Sequence, residues 1–289
     1  MAKFTKKKFK QRICHPKIRK TQKQNNFCLT NKNLLISLKN KYNLRHPDVK
    51  IKSKNPQNIH NELQNKLSGV CHEEQCWLTH LYSNQSKNII NEYFAPEYPL
   101  QWKKNKNTWL NSLDISKVMK QYEDTYDNFR FLGPSPIDFE TIKNGICIYP
   151  EICNLNLKEM KSKGINKIGI IFNTDYHYES GSHWICVFIN LNDNIFFFFD
   201  STGDSPQKEI KQLFKKLKIQ NKKLKYKSNE KTKHQYKDTE CGVYCLYVVV
   251  NLLENKTTIN KLKKQRISDE TIEKYRHYFF NHPIYNKNN

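Results

Sequence analysis

The sequence predicts an α+β protein with a helical N-terminal region, and three observations carry that expectation. Short apolar runs rich in β-branched and aromatic residues, at 168–172, 184–189 and 195–199, read as strands. Apolar residues recurring at three- and four-residue spacing over 34–44 and 59–67 read as short amphipathic helices. The almost wholly apolar run 242–253 is longer than strands usually are and reads as a buried helix.

Taken in order, residues 1–33 are dense in lysine and arginine with few apolar residues between them. Such a composition cannot bury enough surface to fold alone, so the segment reads as a basic flexible arm. Residues 34–105 read as a helical accessory domain, closed by Pro96, Pro99 and the polar run 103–107. Residues 106–289 read as the core domain. Asn111 or Ser112 can cap a helix over 113–122 that offers Leu113, Val118 and Met119 for burial. Between the second and third strands, the Asn- and Asp-rich stretch 190–194 tolerates left-handed backbone angles, which makes the pair a β-hairpin. Residues 206–217 read as a surface helix with Ile210, Leu213, Phe214 and Leu217 on one face.

Composition narrows the class of protein. No stretch approaches the roughly 20 apolar residues that cross a bilayer, and no apolar signal region follows the charged N-terminus, so a soluble, unsecreted chain without membrane insertion is expected. Its nine cysteines are scattered and odd in number, which favours reduced thiols over a disulfide framework. The net charge of +23 makes non-specific nucleic acid a possible partner of the basic arm. An AT-rich coding sequence that fills surface positions with lysine and asparagine accounts for the same charge equally well. Cys71, His72, Cys76 and His80 have spacings open to zinc, but no second ligand pair accompanies them and packing is the favoured reading. No cofactor is expected.

The chemistry concentrates at three positions. His183 stands just before the first strand of the hairpin and Asp200 just after the second, so an antiparallel pair presents imidazole and carboxylate side by side. The carboxylate is expected on Nδ1, which leaves Nε2 to take a proton from a nucleophile. A bond that merely ties a loop remains the alternative. Cys241 begins the long apolar helix, where the helix dipole and a nearby imidazolium both favour thiolate. Gln235, six residues upstream, is placed to form an oxyanion hole with the Cys241 amide. Gly242 removes a side chain beside the sulfur, consistent with close approach of substrate. Cys245 reads as a structural thiol.

GSHW (181–184), FDSTGDSP (199–206) and HQYKDTECG (234–242), in that order, resemble the His, Asp, Gln, Cys signature of the Ulp/SENP deSUMOylases and adenain. Trp109-Leu110-Asn111 resembles the Trp-Leu-Asn element of that catalytic domain. CHEEQCWLTH (71–80), IFNTDYHYESGSHW (171–184) and RISDETIEKYRHYFF (266–280) extend the likeness to the polyprotein-processing proteases of African swine fever virus and related large DNA viruses. Position 200 is Asp, as in the Ulp-like enzymes, where the swine fever relative has Asn. The first 55 residues match nothing in this family.

The resemblance implies a Ulp/adenain-like core with a central, mostly antiparallel sheet. It also implies a cysteine endopeptidase that cleaves viral structural polyprotein precursors after Gly-Gly during particle maturation, in the virion and host cytoplasm. Trp184 resembles a tryptophan that lids a groove too narrow for anything but glycine, although a core aromatic on a strand reads the same way. An isopeptidase removing ubiquitin-like modifiers from host proteins, and a basic nucleoprotein-binding protein with a vestigial triad, are the alternatives.

Overall fold

The three apolar runs lie at the middle of a five-stranded sheet in a computed structural model that describes residues 10, 12–21, 27–82, 86–105 and 108–282. In chain order the strands are β1 (Phe129–Pro136), β2 (Ile142–Lys143), β3 (Ile146–Cys147), β4 (Lys167–Asn173), β5 (Trp184–Asn190), β6 (Ile195–Phe199) and β7 (Lys225–Ser228). The large sheet has the order β1-β4-β5-β6-β7, and β2 and β3 form a separate two-stranded ribbon. Its centre, β4-β5-β6, is antiparallel, while β1 and β7 join the edges in parallel. Both faces of the centre are covered, which is why β4, β5 and β6 read as continuous apolar runs with no polar alternation. The edge strands escaped the sequence pattern for physical reasons. Gly133 and Pro134 inside β1 look like turn punctuation, and β7 is Lys-Tyr-Lys-Ser, the charged composition that protects an exposed edge.

The chain divides into two units, Met1–Tyr98 with Tyr278–Asn289, and Pro99–His277. The helices of the first are α1 (Pro16–Thr21), α2 (Lys32–Arg45), α3 (Pro56–Lys66), α4 (Glu74–Tyr82) and α5 (Ser86–Tyr93). Asn31 and Asn55 cap α2 and α3 by accepting backbone N–H groups of the first turn. Leu35 and Leu38 of α2, Ile59 and Leu63 of α3, and Trp77 and Leu78 of α4 meet in one buried core.

This division corrects the expected boundaries at 33 and 105. Residues 12–21 and 27–33 belong to the folded unit. Cys14 is bonded to Cys28, and the buried Glu74 carboxylate accepts the backbone N–H groups of Cys28 at 2.8 Å and Leu29 at 3.0 Å. Asn281 returns to the same unit, accepting from Ile13 N at 2.7 Å and donating to the carbonyls of Ile13 and Ala95. Residues 1–9, 11 and 22–26 of the expected arm lie outside the described residues. The reduced-thiol reading is corrected too. Folding brings together Cys14 with Cys28, Cys71 with Cys76 and Cys147 with Cys153, and leaves Cys186, Cys241 and Cys245 as free thiols. Cys71 and Cys76, weighed above as zinc ligands, are bonded to each other.

The second unit adds α6 (Ser112–Glu123), α7 (Pro150–Cys153), α8 (Leu157–Ser162), α9 (Lys208–Gln220), α10 (Cys241–Leu253), α11 (Ile259–Lys264) and α12 (Asp269–Phe279), the last running two residues past its boundary. Asn111 and Asp114 form a reciprocal capping box at the start of α6. Val118 and Met119 are buried there as expected, whereas Leu113 faces solvent from the first turn. One face of the sheet packs on α9 through Ile210, Leu213 and Leu217, against alternate residues Val187, Phe196 and Phe198 of the central strands. The other face carries α10, every residue of which is buried. A methyl group on Gly169 of β4 would lie 2.7 Å from Val249 Cγ1, so the helix rests directly on the strand backbone. That seating fixes where the first residue of α10, Cys241, emerges.

Candidate active site

The β5-β6 ladder pairs Cys186 with Phe199 and closes through a turn with Asn194 at φ 53°. Extending that register sets Asp200 opposite Ile185, two places along from His183. Diagonal positions of this kind lie roughly 7–8 Å apart. The separation suits the far end of the imidazole, and His183 Nε2 meets Asp200 Oδ1 at 2.8 Å. The expected use of the ring nitrogens is therefore reversed. Asp200 holds Nε2, and Nδ1 is the nitrogen left for the Cys241 thiol, which lies within hydrogen-bonding reach of the ring.

Asp200 is itself fixed from several directions. Its Oδ1 also accepts from the backbone N–H of Thr202 at 2.9 Å. Its main chain exchanges two bonds with the Asn229 amide, at 3.0 and 2.7 Å. Gly203, at φ +79°, lets the loop after β6 turn against Thr232, where any Cβ would come within 2.9 Å of the backbone.

Electrostatics favour the charged form of His183. Burial alone would lower the His183 pKa, but the bonds to Asp200 and Cys241 outweigh it and the imidazole is pushed up to about 10. Because this folded value lies above the ordinary 6.5, the pair stabilises the fold fully below about pH 6.5 and loses that contribution as pH rises through about 10. Cys245, one helical turn beyond Cys241, behaves in the opposite way. Burial, reinforced by its hydrogen bond with Cys186, pushes its thiol well up and keeps it protonated. All three free cysteines are buried, so the imidazole and not exposure singles out Cys241.

The remaining expected residues take more definite roles than the sequence allowed. Gln235 is buried, and its amide is oriented by the Ser201 hydroxyl, which donates to Oε1 at 2.7 Å. Nε2 donates one proton to Lys237 O and has a second available for an oxyanion. Glu240, the residue before α10, makes no side-chain cap, so the first N–H groups of the helix, including that of Cys241, are open to a developing negative charge. Trp184 is not an open lid. It is only 5% exposed, and its Nε1 donates to Leu110 O at 2.9 Å. Gly242 makes room for this wall, since a Cβ there would lie 3.2 Å from both Leu110 Cβ and Trp184 Cδ1. Beside Leu110 stands Trp109, 40% exposed.

Sequence reasoning held Leu110 and Ser201 only as members of motifs, with no role of their own, and missed Asn229. It also missed the pair Glu240 and Arg276. A carboxylate directly ahead of an all-apolar helix was the available clue, since a charge buried there must find a partner.

Comparison with known proteins decides the family. Residues 135–286, just over half of the chain, match the C-terminal catalytic domain of the Ulp1 protease family. This chain belongs to the Ulp1 protease family. A candidate thiol protease of Acanthamoeba polyphaga mimivirus is 29% identical over 235 residues, covering 77% of this chain and 74% of the viral protein. The SUMO-1 cysteine protease of African swine fever virus (isolate Pig/Kenya/KEN-50/1950) is 25% identical over 237 residues, covering 75% and 86%. The crystal structure of the African swine fever virus protease superposes with a TM-score of 0.69 over 95% of this chain and 97% of that one, at 22% identity, which shows a shared fold. This Ulp1-family member is a cysteine protease with the expected α+β architecture.

The raised His183 value generates a pH prediction. The alkaline limb of kcat/KM for a peptide substrate should fall near pH 10, where the imidazolium that protonates the leaving amine is lost. Asp200→Asn retains an acceptor for Nε2 but removes its charge, and should move that limb toward neutrality by about one pH unit or more. A wild-type limb already at the ordinary histidine value, unmoved in the variant, would contradict the ion pair.

Proposed function

We propose that this protease cleaves viral structural polyprotein precursors after Gly-Gly, with Cys241 as nucleophile, His183 as its acid-base partner and Asp200 as the group that orients the imidazole. The adjacency of the Cys241 thiol and His183, with the His183 to Asp200 bond behind it, is the observation that carries the reading. In the acylation step Cys241 Sγ bonds to the scissile carbonyl carbon, and the carbonyl oxygen becomes an oxyanion received by the Cys241 N–H and Gln235 Nε2. The tetrahedral intermediate collapses as the C–N bond breaks and imidazolium gives its proton to the departing amine. Water then attacks the thioester, loses a proton to the now neutral imidazole, and releases the acid and the thiol pair.

Two features support a glycine-selective groove. The floor next to the sulfur is filled, since Leu110 and Trp184 stand against Gly242 with no spare methyl volume. Trp109, joined to that wall through Leu110, is the exposed aromatic surface beside it and takes the lid role first considered for Trp184. The similarity to proteases of two viruses supports a viral precursor, and the proposed setting for its cleavage is the virion and the assembly sites in the host cytoplasm. Similarity to the SUMO-1 cysteine protease of African swine fever virus favours one second reading, removal of a ubiquitin-like modifier, which would use the same groove.

The net charge of +23 supports non-specific nucleic acid as a further partner, through the lysines of the N-terminal segment. Among the described residues no helix is long and apolar enough to cross a membrane.

Two experiments test these readings. Purified protein is incubated with short Gly-Gly and Gly-Ala peptides, with candidate precursors and with a ubiquitin-like fusion, and the new termini are sequenced. The Gly→Ala peptide should lose about ten- to two-hundredfold in kcat/KM, the cost of forcing one methyl into a filled site. Trp109→Ala should shrink that ratio, and Cys241→Ala should abolish turnover. Equal cleavage of both peptides would remove the Gly-Gly claim, and cleavage of the fusion alone would replace precursor processing by modifier removal. For nucleic acid, deleting residues 1–9 removes four lysines without touching Cys14, and should flatten the slope of log affinity against log salt by about three to four. An unchanged slope would clear that segment of the role.

A further inference from the structure

The segment immediately before Cys241 is held by a buried side chain that neither reacts nor lines the groove. Arg276 of α12 is 3% exposed, and Glu240 is fully buried. The guanidinium grips both carboxylate oxygens, Nε to Oε2 at 2.8 Å and Nη2 to Oε1 at 2.9 Å. Nη2 also donates to Thr239 O at 2.9 Å, and Nη1 donates to Thr108 O at 2.8 Å. Its plane lies over the Trp102 ring, 4.6 Å from the centroid. One rigid fork thus ties the two residues preceding the nucleophile to the residue preceding Trp109 and Leu110. From there the connection continues to the other half of the site. Leu110 O receives the Trp184 indole, and Trp184 is the neighbour of His183.

A buried ion pair is a poor device for stability, since both charges must be desolvated and apolar replacements of similar volume often fold as well. What it does supply is direction. The bidentate geometry admits one relative placement of Glu240 and Arg276, and the two carbonyl contacts extend that placement to the start of α10 and to the wall. Glu240 is also thereby kept from capping its own helix, which leaves the Cys241 N–H open.

We propose that Arg276, acting through Glu240, is a positioning residue that sets Cys241 against His183 and holds the oxyanion-binding end of α10 in register with the groove wall. The inference rests on reading Cys241 as the nucleophile. Lysine at 276 would keep a positive charge near Glu240 but could not reach Thr239 O and Thr108 O together, so charge alone does not suffice.

The test compares Arg276→Lys and the double variant Glu240→Gln with Arg276→Met, with the folded fraction of each measured by circular dichroism. Iodoacetamide labelling of Cys241, followed by peptide mapping, reads the thiol directly and needs no substrate. kcat and KM for a cleavable peptide read the oxyanion geometry. Per folded molecule, Arg276→Lys should label more slowly and lose on the order of a hundredfold in kcat with KM little changed, the usual scale for a reacting group displaced by about 1 Å. The double variant should show the same loss even where its melting temperature matches wild type. Wild-type labelling and kcat in the folded Arg276→Lys protein would overturn the proposal, and so would their recovery in a folded double variant, because the pair would then serve stability only. If the double variant fails to fold, Arg276→Lys alone decides. A wild-type Cys241 no more reactive than an ordinary thiol would instead sink the nucleophile reading, a result these variants cannot produce.

Discussion

The seating of α10 on the sheet is the constraint from which the rest follows. The helix is apolar on every side and buried along its whole length, and at Gly169 it approaches so closely that one methyl group would collide with Val249. A helix enclosed in this way cannot slide or rotate without opening voids that cores do not tolerate. Its first residue, Cys241, is consequently fixed with it. Cys241 gains from that position a helix N-terminus with unpaired N–H groups, a favourable setting for a thiolate and for an oxyanion. Cys245, one turn deeper in the same helix, has neither the imidazole nor the open amides, and burial keeps it a thiol.

The sheet then brings the imidazole to the sulfur. Because β5 and β6 are joined by a short turn, the ends that carry His183 and Asp200 meet whatever the rest of the chain does, and the ladder register decides which ring nitrogen the carboxylate reaches. Local bonds from Thr202 and Asn229 hold the carboxylate, and Ser201 turns the Gln235 amide. The loops 200–203 and 231–235 are stitched together by main-chain bonds from Lys231, His234 and Gln235. The pieces of the site therefore come from separate stretches of sequence, and each is rigid for its own reason.

Much of this was legible in the sequence because the decisive features are short-range. The apolar runs, the Asn-rich turn and the helix from 242 onward lie where periodicity and turn chemistry put them, and Cys241, His183, Asp200 and Gln235 sit on elements whose ends are readable. What was not legible depends on register or on distant partners. The ladder register sets Asp200 opposite Ile185 and not opposite His183, and the carboxylate reaches Nε2 where Nδ1 was expected. The disulfides join cysteines whose spacing follows no framework, and the edge strands β1 and β7 carry the Pro, Gly and Lys that protect an edge and disguise a strand. Trp184 is a core residue by its bond to Leu110, a partner 74 positions away. Arg276 could not be paired with Glu240 before α12 was placed.

The central proposal is that Cys241 is a nucleophile paired with His183 and open to a glycine-terminated acyl group. An electrophilic peptide ending in Gly-Gly-vinyl sulfone, which places a carbon acceptor near the scissile carbonyl position, tests it most directly by intact mass and peptide mapping. One adduct on Cys241 at neutral pH, slowed by orders of magnitude in His183→Ala, is the predicted result. Modification of Cys186 or Cys245 instead, or labelling of Cys241 that is indifferent to His183, would contradict it.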